Sequence, residues 1–214
     1  MIETISLQGV LPRVFRGQDV KSEVWLSDLS FRRGQTCLVE AESGAGKSSL
    51  CSFIYCNRRD YEGTIRFDGT DIRSFRPAQI CKLRQRSLAW LPQEMRLFPE
   101  LTVMENIDIK NRLTGAKTAA DIRAMLEALE IGDKADQKAA LLSVGQQQRA
   151  ALVRALCQPF DFILLDEPVS HLDARIAAVA AGLIEAEAKR QGAGIIATSV
   201  GVRIPLTYTE TVRL

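Results

Sequence analysis

The segment from Thr36 to Ile54 restricts the fold more than any other part of this chain. Thr36-Cys37-Leu38-Val39 is a short apolar run of the kind that makes a buried strand. Ser49-Leu50-Cys51-Ser52-Phe53-Ile54 reads as an amphipathic helix. Between them lies Glu40-Ala41-Glu42-Ser43-Gly44-Ala45-Gly46-Lys47-Ser48-Ser49. Gly44 and Gly46 allow the backbone to curl until successive N–H groups face one point, and the positive end of the helix adds to the same spot. Such a loop cradles phosphate oxygens. Lys47 then reaches the outer phosphates as a point charge, and the Ser48 hydroxyl takes a Mg²⁺ position. Ala41 stands where the strict pattern has its first glycine, but it keeps the backbone N–H that the chemistry uses. An ordinary glycine-rich turn ahead of a helix is the bland alternative, and other segments have to decide between the two.

Composition agrees with one domain, or one with a sub-lobe. The 214 residues suffice for a full core, and a net charge of +2 with balanced acids and bases gives no polyanion-binding signature. Arg73, Arg76, Lys82, Arg84 and Arg86 are expected to form a solvated helix face, and no nucleic-acid partner is expected. Cys37, Cys51, Cys56, Cys81 and Cys157 lack C-x-x-C spacing and read as reduced, mostly core residues of a cytosolic protein. No segment resembles a leader or a bilayer-spanning run, so the chain is expected to be soluble by itself.

Two more segments carry chemistry. Phe162-Ile163-Leu164-Leu165-Asp166-Glu167-Pro168 is an apolar strand ending in two carboxylates, the form of a buried parallel strand whose carboxyl end faces a ligand. Asp166 is expected to hold the Mg²⁺ shell, and Glu167 to polarise an attacking water as general base. Leu142-Ser143-Val144-Gly145-Gln146-Gln147-Gln148-Arg149 opens a helix running to about Cys157. Ser143 and Gln146 fit an S-x-x-Q capping box, which explains the segment structurally. The same serine hydroxyl, glycine amide and helix N-terminus also make an anion site.

With these segments in order, nearly the whole chain resembles the ATP-binding-cassette (ABC) ATPases. Residues 41–48 resemble their Walker A loop, and Gln93 in Trp90-Leu91-Pro92-Gln93 resembles the Q-loop glutamine. Leu142 to Gln146 resembles the LSGGQ signature, Ile163 to Glu167 the Walker B strand, and Ser170-His171-Leu172-Asp173 the D-loop. The run from Leu97 to Ile107 resembles the subfamily that serves lipoprotein release, macrolide export and division-associated systems.

The resemblance implies an α/β fold: a P-loop NTPase with a RecA-like core, an antiparallel β lobe and an inserted helical lobe. About 1–93 and 145–214 would form the core with its β lobe, and about 94–144 the helical lobe. Ile122, Met125, Leu126 and Leu129 mark one helix face there. Strands are expected at 162–166 and 194–198, with Ala174 to Arg190 between them as a helix striped by Ile176, Val179, Leu183 and Ile184. The tail from Thr207 alternates like a strand, and no C-terminal regulatory domain is expected after it.

The resemblance further implies ATP and Mg²⁺ sandwiched between two head-to-tail cassettes. One cassette contributes Ser43 to Ser49, Gln93, Asp166 and Glu167. Its partner, a second copy or a related subunit, contributes Ser143, Gly145 and Gln146. Ser48, Gln93 and Asp166 form the metal set. Phe15 is the candidate for stacking on adenine, with Trp25 as the second choice. A transmembrane permease is the implied partner, docking a short helix near Gln93 and holding the cassette on the inner face of the membrane.

This chain departs from the family pattern in two places. Where the family's switch histidine is expected, Ile195-Ile196-Ala197-Thr198-Ser199 ends in serine, and the single histidine of the chain is His171. Ser199 inherits the position with a shorter donor and no positive charge. Val144 replaces the first signature glycine and brings a β-branched side chain to the sandwich interface. Retained nucleotide binding with slow hydrolysis is the expectation.

Overall fold

The structure, a computed structural model, describes residues 1–214. In chain order the elements are β1 (Thr4–Pro12), β2 (Asp28–Arg32), β3 (Thr36–Glu40), α1 (Lys47–Ile54), β4 (Tyr61–Phe67), β5 (Thr70–Asp71), α2 (Pro77–Arg86) and β6 (Leu88–Leu91). They continue with α3 (Val103–Asn111), α4 (Ala119–Ala128), α5 (Val144–Leu156), β7 (Phe162–Asp166), α6 (Ala174–Gln191), β8 (Gly194–Ser199) and β9 (Glu210–Arg213).

Five strands form a parallel sheet in the order β6-β7-β8-β3-β9. Every residue of β7 and β8 is buried, as a strand covered on both faces requires. Alternation along these strands divides the interior in two. Leu38, Ile163, Leu165, Ile195 and Ala197 face α3, α4, α5 and α6. Val39, Phe162, Leu164 and Ile196 face α1 and the strands of the second sheet. That second sheet is antiparallel, with the order β2-β1-β4-β5. Its close packing depends on Gly63, whose φ is +78° and where a Cβ would lie 2.2 Å from the Gly9 carbonyl oxygen. The register of β1 on β4 shifts just there, between Gln8 and Leu11.

Between β6 and β7 every regular element is a helix or a helical turn. Ile122, Leu126 and Leu129 are buried and Met125 partly so, as the periodicity predicts. In α6, Ile176 and Ile184 are buried, whereas Val179 and Leu183 are only partly covered. Ala177, Ala180, Ala181 and Ala188 share that face, and their small side chains let the helix lie close to the sheet. Thr102, Thr118 and Ser143 each start a helix with a reciprocal capping box. Asn106, fully buried, donates to the Phe98 and Thr102 carbonyls at 3.0 and 2.9 Å and accepts from the Phe98 N–H at 2.7 Å. That clamp explains the asparagine inside the Leu97–Ile107 run.

Some sequence expectations need correction. The first helix begins at Lys47, two residues ahead of Ser49, because Gly46 at φ 99° supplies its N-cap. The basic cluster is not one solvated face. Arg73 lies in a separate 3-10 turn and stacks on the Tyr61 ring. Arg84 is half-buried, donating to the Tyr55 and Cys56 carbonyls at 3.1 and 2.9 Å. Of the cysteines, Cys81 is exposed and the other four are buried and unpaired. No helix is long and apolar enough to cross a membrane.

Candidate nucleotide-binding site

The carboxyl ends of β3, β7 and β8 bring the predicted groups to one edge of the sheet. Register pairs Glu40 with Ser199 and Asp166 with Thr198, so the phosphate loop leaves the sheet beside the two acidic residues. Gly44 and Gly46 both adopt positive φ, 83° and 99°. The curl they create lets the Lys47 ammonium reach back to the Glu42 carbonyl at 3.0 Å. The same ammonium lies 3.5 Å from the Glu167 carboxylate, with the two side chains 5% and 18% exposed. The ammonium and the carboxylate therefore face each other across one small space, held as an ion pair.

Asp166 is 1% exposed and accepts from the Thr198 hydroxyl at 2.9 Å. Burial pushes its pKa above the usual carboxylate value, against the Ser48 and Thr198 hydroxyls, and the Glu167 charge pushes the same way. A buried carboxylate short of positive charge is the electrostatic setting for a divalent cation. Ser48, Gln93 and Asp166 line one cavity of about 220 Å³, so the predicted metal donors are brought together. No cluster of three His, Cys, Asp or Glu side chains competes with them, and the donor set suits a hard ion that keeps water and phosphate ligands.

Glu167 has a backbone φ of 50°. Its carbonyl accepts from the Gln148 amide at 3.1 Å and its N–H donates to the Thr198 hydroxyl at 3.3 Å. A left-handed glutamate carries strain that the surroundings must hold in place. No local pattern marks either residue: Thr198 is the residue before Ser199, and Gln148 is one of three consecutive glutamines. Gln148, 2% exposed, also donates to the Ser170 hydroxyl at 3.3 Å and accepts from the His171 N–H at 3.1 Å. It ties α5 to the strand end and to the turn that follows.

The aromatic candidates separate clearly. Trp25 is 2% exposed, and its indole N–H donates to the Ala45 carbonyl at 3.0 Å. It buttresses the phosphate loop and has no free ring face, which removes the second choice. Phe15 is half-buried, and a Cβ on Gly46 would meet its ring at 3.0 Å. Phe15 therefore flanks the loop with surface still open.

Ser199 is 3% exposed and its hydroxyl donates to the Val202 carbonyl at 2.7 Å. Its proton is committed to its own turn, which counts against the role reserved for it at the phosphate. Ser143, Gly145 and Gln146 do not line the Ser48–Asp166 cavity. Ser143 and Gln146 close their capping box, with the Ser143 N–H donating at 2.8 Å to the Gln146 side chain. A Cβ at Gly145 would lie 2.7 Å from the His171 carbonyl oxygen. Val144 is 50% exposed on the same surface.

The family profile described as "ABC transporter" matches residues 26–170. The lipoprotein-releasing system ATP-binding protein LolD of Porphyromonas gingivalis is 34% identical over 68% of this chain and 68% of its own length. The uncharacterized ABC transporter ATP-binding protein YknY of Bacillus subtilis is 32% identical over 80% of this chain and 76% of its own. The macrolide export ATP-binding/permease protein MacB 1/2 of Paracoccus denitrificans is 31% identical over 85% of this chain, which spans 28% of that protein's length. This chain likewise spans 45% of the spermidine/putrescine import subunit PotA of Thermobifida fusca. Among solved structures, the ATP-binding cassette MJ0796, a dimer in a post-hydrolysis state with ADP and Pi, superposes with a TM-score of 0.75. It shares 26% identity over 91% of this chain and 87% of that one. Taken with the phosphate loop, the paired acids and the capped signature helix, these matches place the chain in the ABC transporter family, as a cassette with the P-loop NTPase fold.

Proposed function

We propose that this chain is the ATP-binding and ATP-hydrolysing subunit of an ABC transporter, driving a membrane permease through ATP-dependent pairing of cassettes. The observation that carries the reading is the convergence of Lys47, Ser48, Asp166 and Glu167 at one sheet edge, while Ser143 and Gly145 open a separate helix, α5, against the His171 turn. A site with two such halves is complete only when a second cassette faces the first. The matched cassette MJ0796 is itself a dimer.

In this reading the loop from Ser43 to Ser49 holds the phosphates through its backbone amides and Lys47, and Phe15 stacks on the adenine. Ser48, Asp166 and Gln93 would hold Mg²⁺, which offsets phosphate charge when bound. Glu167 lies against Lys47 until phosphate oxygens take over the ammonium. Its carboxylate is then free to orient water and accept its proton. Residues of about 94–144 act as the helical lobe of one cassette, and about 1–93 with 145–214 as its core. The cassette works on the cytoplasmic, inner face of the membrane.

A nucleotide-dependent switch with slow hydrolysis is the second reading, favoured by the inward Ser199 hydroxyl and by Val144. Phosphate release with MgATP decides between them, with Glu167→Gln as the background. Turnover abolished by that change supports the ATPase. Tight nucleotide binding with turnover well below about 1 s⁻¹ supports the switch. A chain that binds no nucleotide refutes both.

A further inference from the structure

The chain's single histidine shares a surface with the start of α5. The His171 carbonyl oxygen lies 2.7 Å from where a Gly145 Cβ would stand, and the His171 side chain is exposed. Hydrogen bonding decides which ring nitrogen carries the proton. The Glu167 carbonyl can only accept, so the Gln148 amide nitrogen faces it at 3.1 Å. That leaves the Gln148 oxygen to accept from the His171 N–H at 3.1 Å. The same amide donates to the Ser170 hydroxyl at 3.3 Å, and the hydroxyl turns its own proton to the one acceptor in reach, His171 Nδ1 at 2.9 Å. A neutral imidazole whose Nδ1 accepts carries its proton on Nε2. No bond within the chain uses that Nε2–H.

The neighbouring polar groups are already engaged. Ser143 and Gln146 close their capping box, and Arg149 donates to the Gly145 and Leu129 carbonyls at 3.2 and 2.8 Å. Arg175 is paired with Glu130, and Asp173 accepts from the Ile176 N–H at 2.9 Å. The surface therefore presents one unengaged side-chain N–H beside a helix N-terminus, a combination that suits a phosphate oxygen. At the Walker half the position is reversed, because the Ser199 hydroxyl is spent on the Val202 carbonyl.

Resting on the paired-cassette reading above, we propose that His171 donates its Nε2–H to the terminal phosphate of the ATP held by a second copy of this chain. The imidazole that Ser199 does not provide within one chain is provided across the interface, from the surface that bears Gly145. Ser170 is the positioning residue: its hydroxyl keeps the ring in the tautomer whose outward nitrogen donates.

Because the chain has one histidine, isotope-labelled histidine gives a single imidazole signal in an NMR spectrum. In the Glu167→Gln background, MgATP should move that signal and MgADP should leave it in place. Val144→Glu sets a negative charge before the partner copy's phosphates, and should abolish the shift while nucleotide still binds. His171→Ala should weaken ATP-dependent pairing, followed by light scattering, about tenfold, the loss of one hydrogen bond to a charged group. His171→Gln keeps an amide donor and should recover part of that loss, which a side chain that only fills space would not do. Bound MgATP with an unmoved imidazole would overturn the proposal. A shift that persists in the unpaired Val144→Glu chain would also overturn it, by placing the contact within one copy. Fluorescent ATP binding on the same preparation separates the readings, since a chain that binds no nucleotide refutes the transporter assignment itself.

Discussion

Asp166→Asn isolates the cost of burying a carboxylate at the end of β7. The carboxyl is 1% exposed, and burial, its largest influence, raises its pKa in the fold. The folded chain therefore holds this proton more tightly than the unfolded chain. As pH rises from the ordinary carboxylate value through the raised folded value, the native state loses stability, and above the folded value the loss is complete. Asparagine removes it. Its side-chain oxygen still accepts from the Thr198 hydroxyl, so the variant gives up only the charge-assisted part of that 2.9 Å bond. That part is about 1 kcal/mol. Relief of the buried charge is larger, because desolvation together with the Glu167 charge outweighs the hydroxyls and Lys47. The net gain should be on the order of 1–2 kcal/mol at neutral pH, or roughly 2–8 °C in Tm for a chain of this size. Urea unfolding without nucleotide, repeated from about pH 8 downward, should show the gain shrinking as pH falls through the folded pKa. MgATP should stabilise the wild type and leave the variant almost unmoved. An Asn variant no more stable than wild type near pH 8, or a gain independent of pH, would refute the reasoning.

Other outcomes follow from single contacts. Gly145→Ala forces a Cβ to 2.7 Å from the His171 carbonyl, so α5 and the following turn must separate, at a cost of about 1–3 kcal/mol. ATP-dependent dimers, measured by light scattering in the Glu167→Gln background, should weaken more than nucleotide binding does. Gly63→Ala meets backbone at 2.2 Å in a left-handed conformation and should cost about 3 kcal/mol or more, read by chemical denaturation. N-ethylmaleimide on the native chain should modify Cys81 alone, since burial holds the thiols of Cys37, Cys56 and Cys157 up near 12, 11 and 12. Intact-mass spectrometry showing more than one adduct before unfolding would contradict that.

What could be read from the sequence depended on whether a signal is local. The strands Thr36–Glu40 and Phe162–Asp166 announce themselves because a strand buried on both faces must be apolar throughout. The capping box at Ser143 is equally local. By contrast, β6 is a four-residue run ending just before Pro92, and only its pairing with β7 makes it a strand. The antiparallel sheet rested on resemblance, because β2 and β4 mix polar and apolar residues. The roles of Trp25, Thr198 and Gln148 come from contacts across 20, 32 and 19 residues of chain, which no window of sequence contains. The left-handed backbone of Glu167 was hidden for a different reason: glutamate is not a residue type that marks positive φ.

Gln148 belongs to the helix that begins at the signature, yet its amide grips the backbone of Glu167 and the turn at Ser170 and His171. In the head-to-tail pair proposed above, that helix would serve one nucleotide while Glu167 would serve the other. The two reaction centres are then joined inside each subunit by one side chain as well as across the interface. Damage at one signature cannot remain the private defect of one centre. A subunit with a weakened signature should also disturb the base in its own Walker half, and a mixed dimer should reveal this as two altered sites from a single substitution.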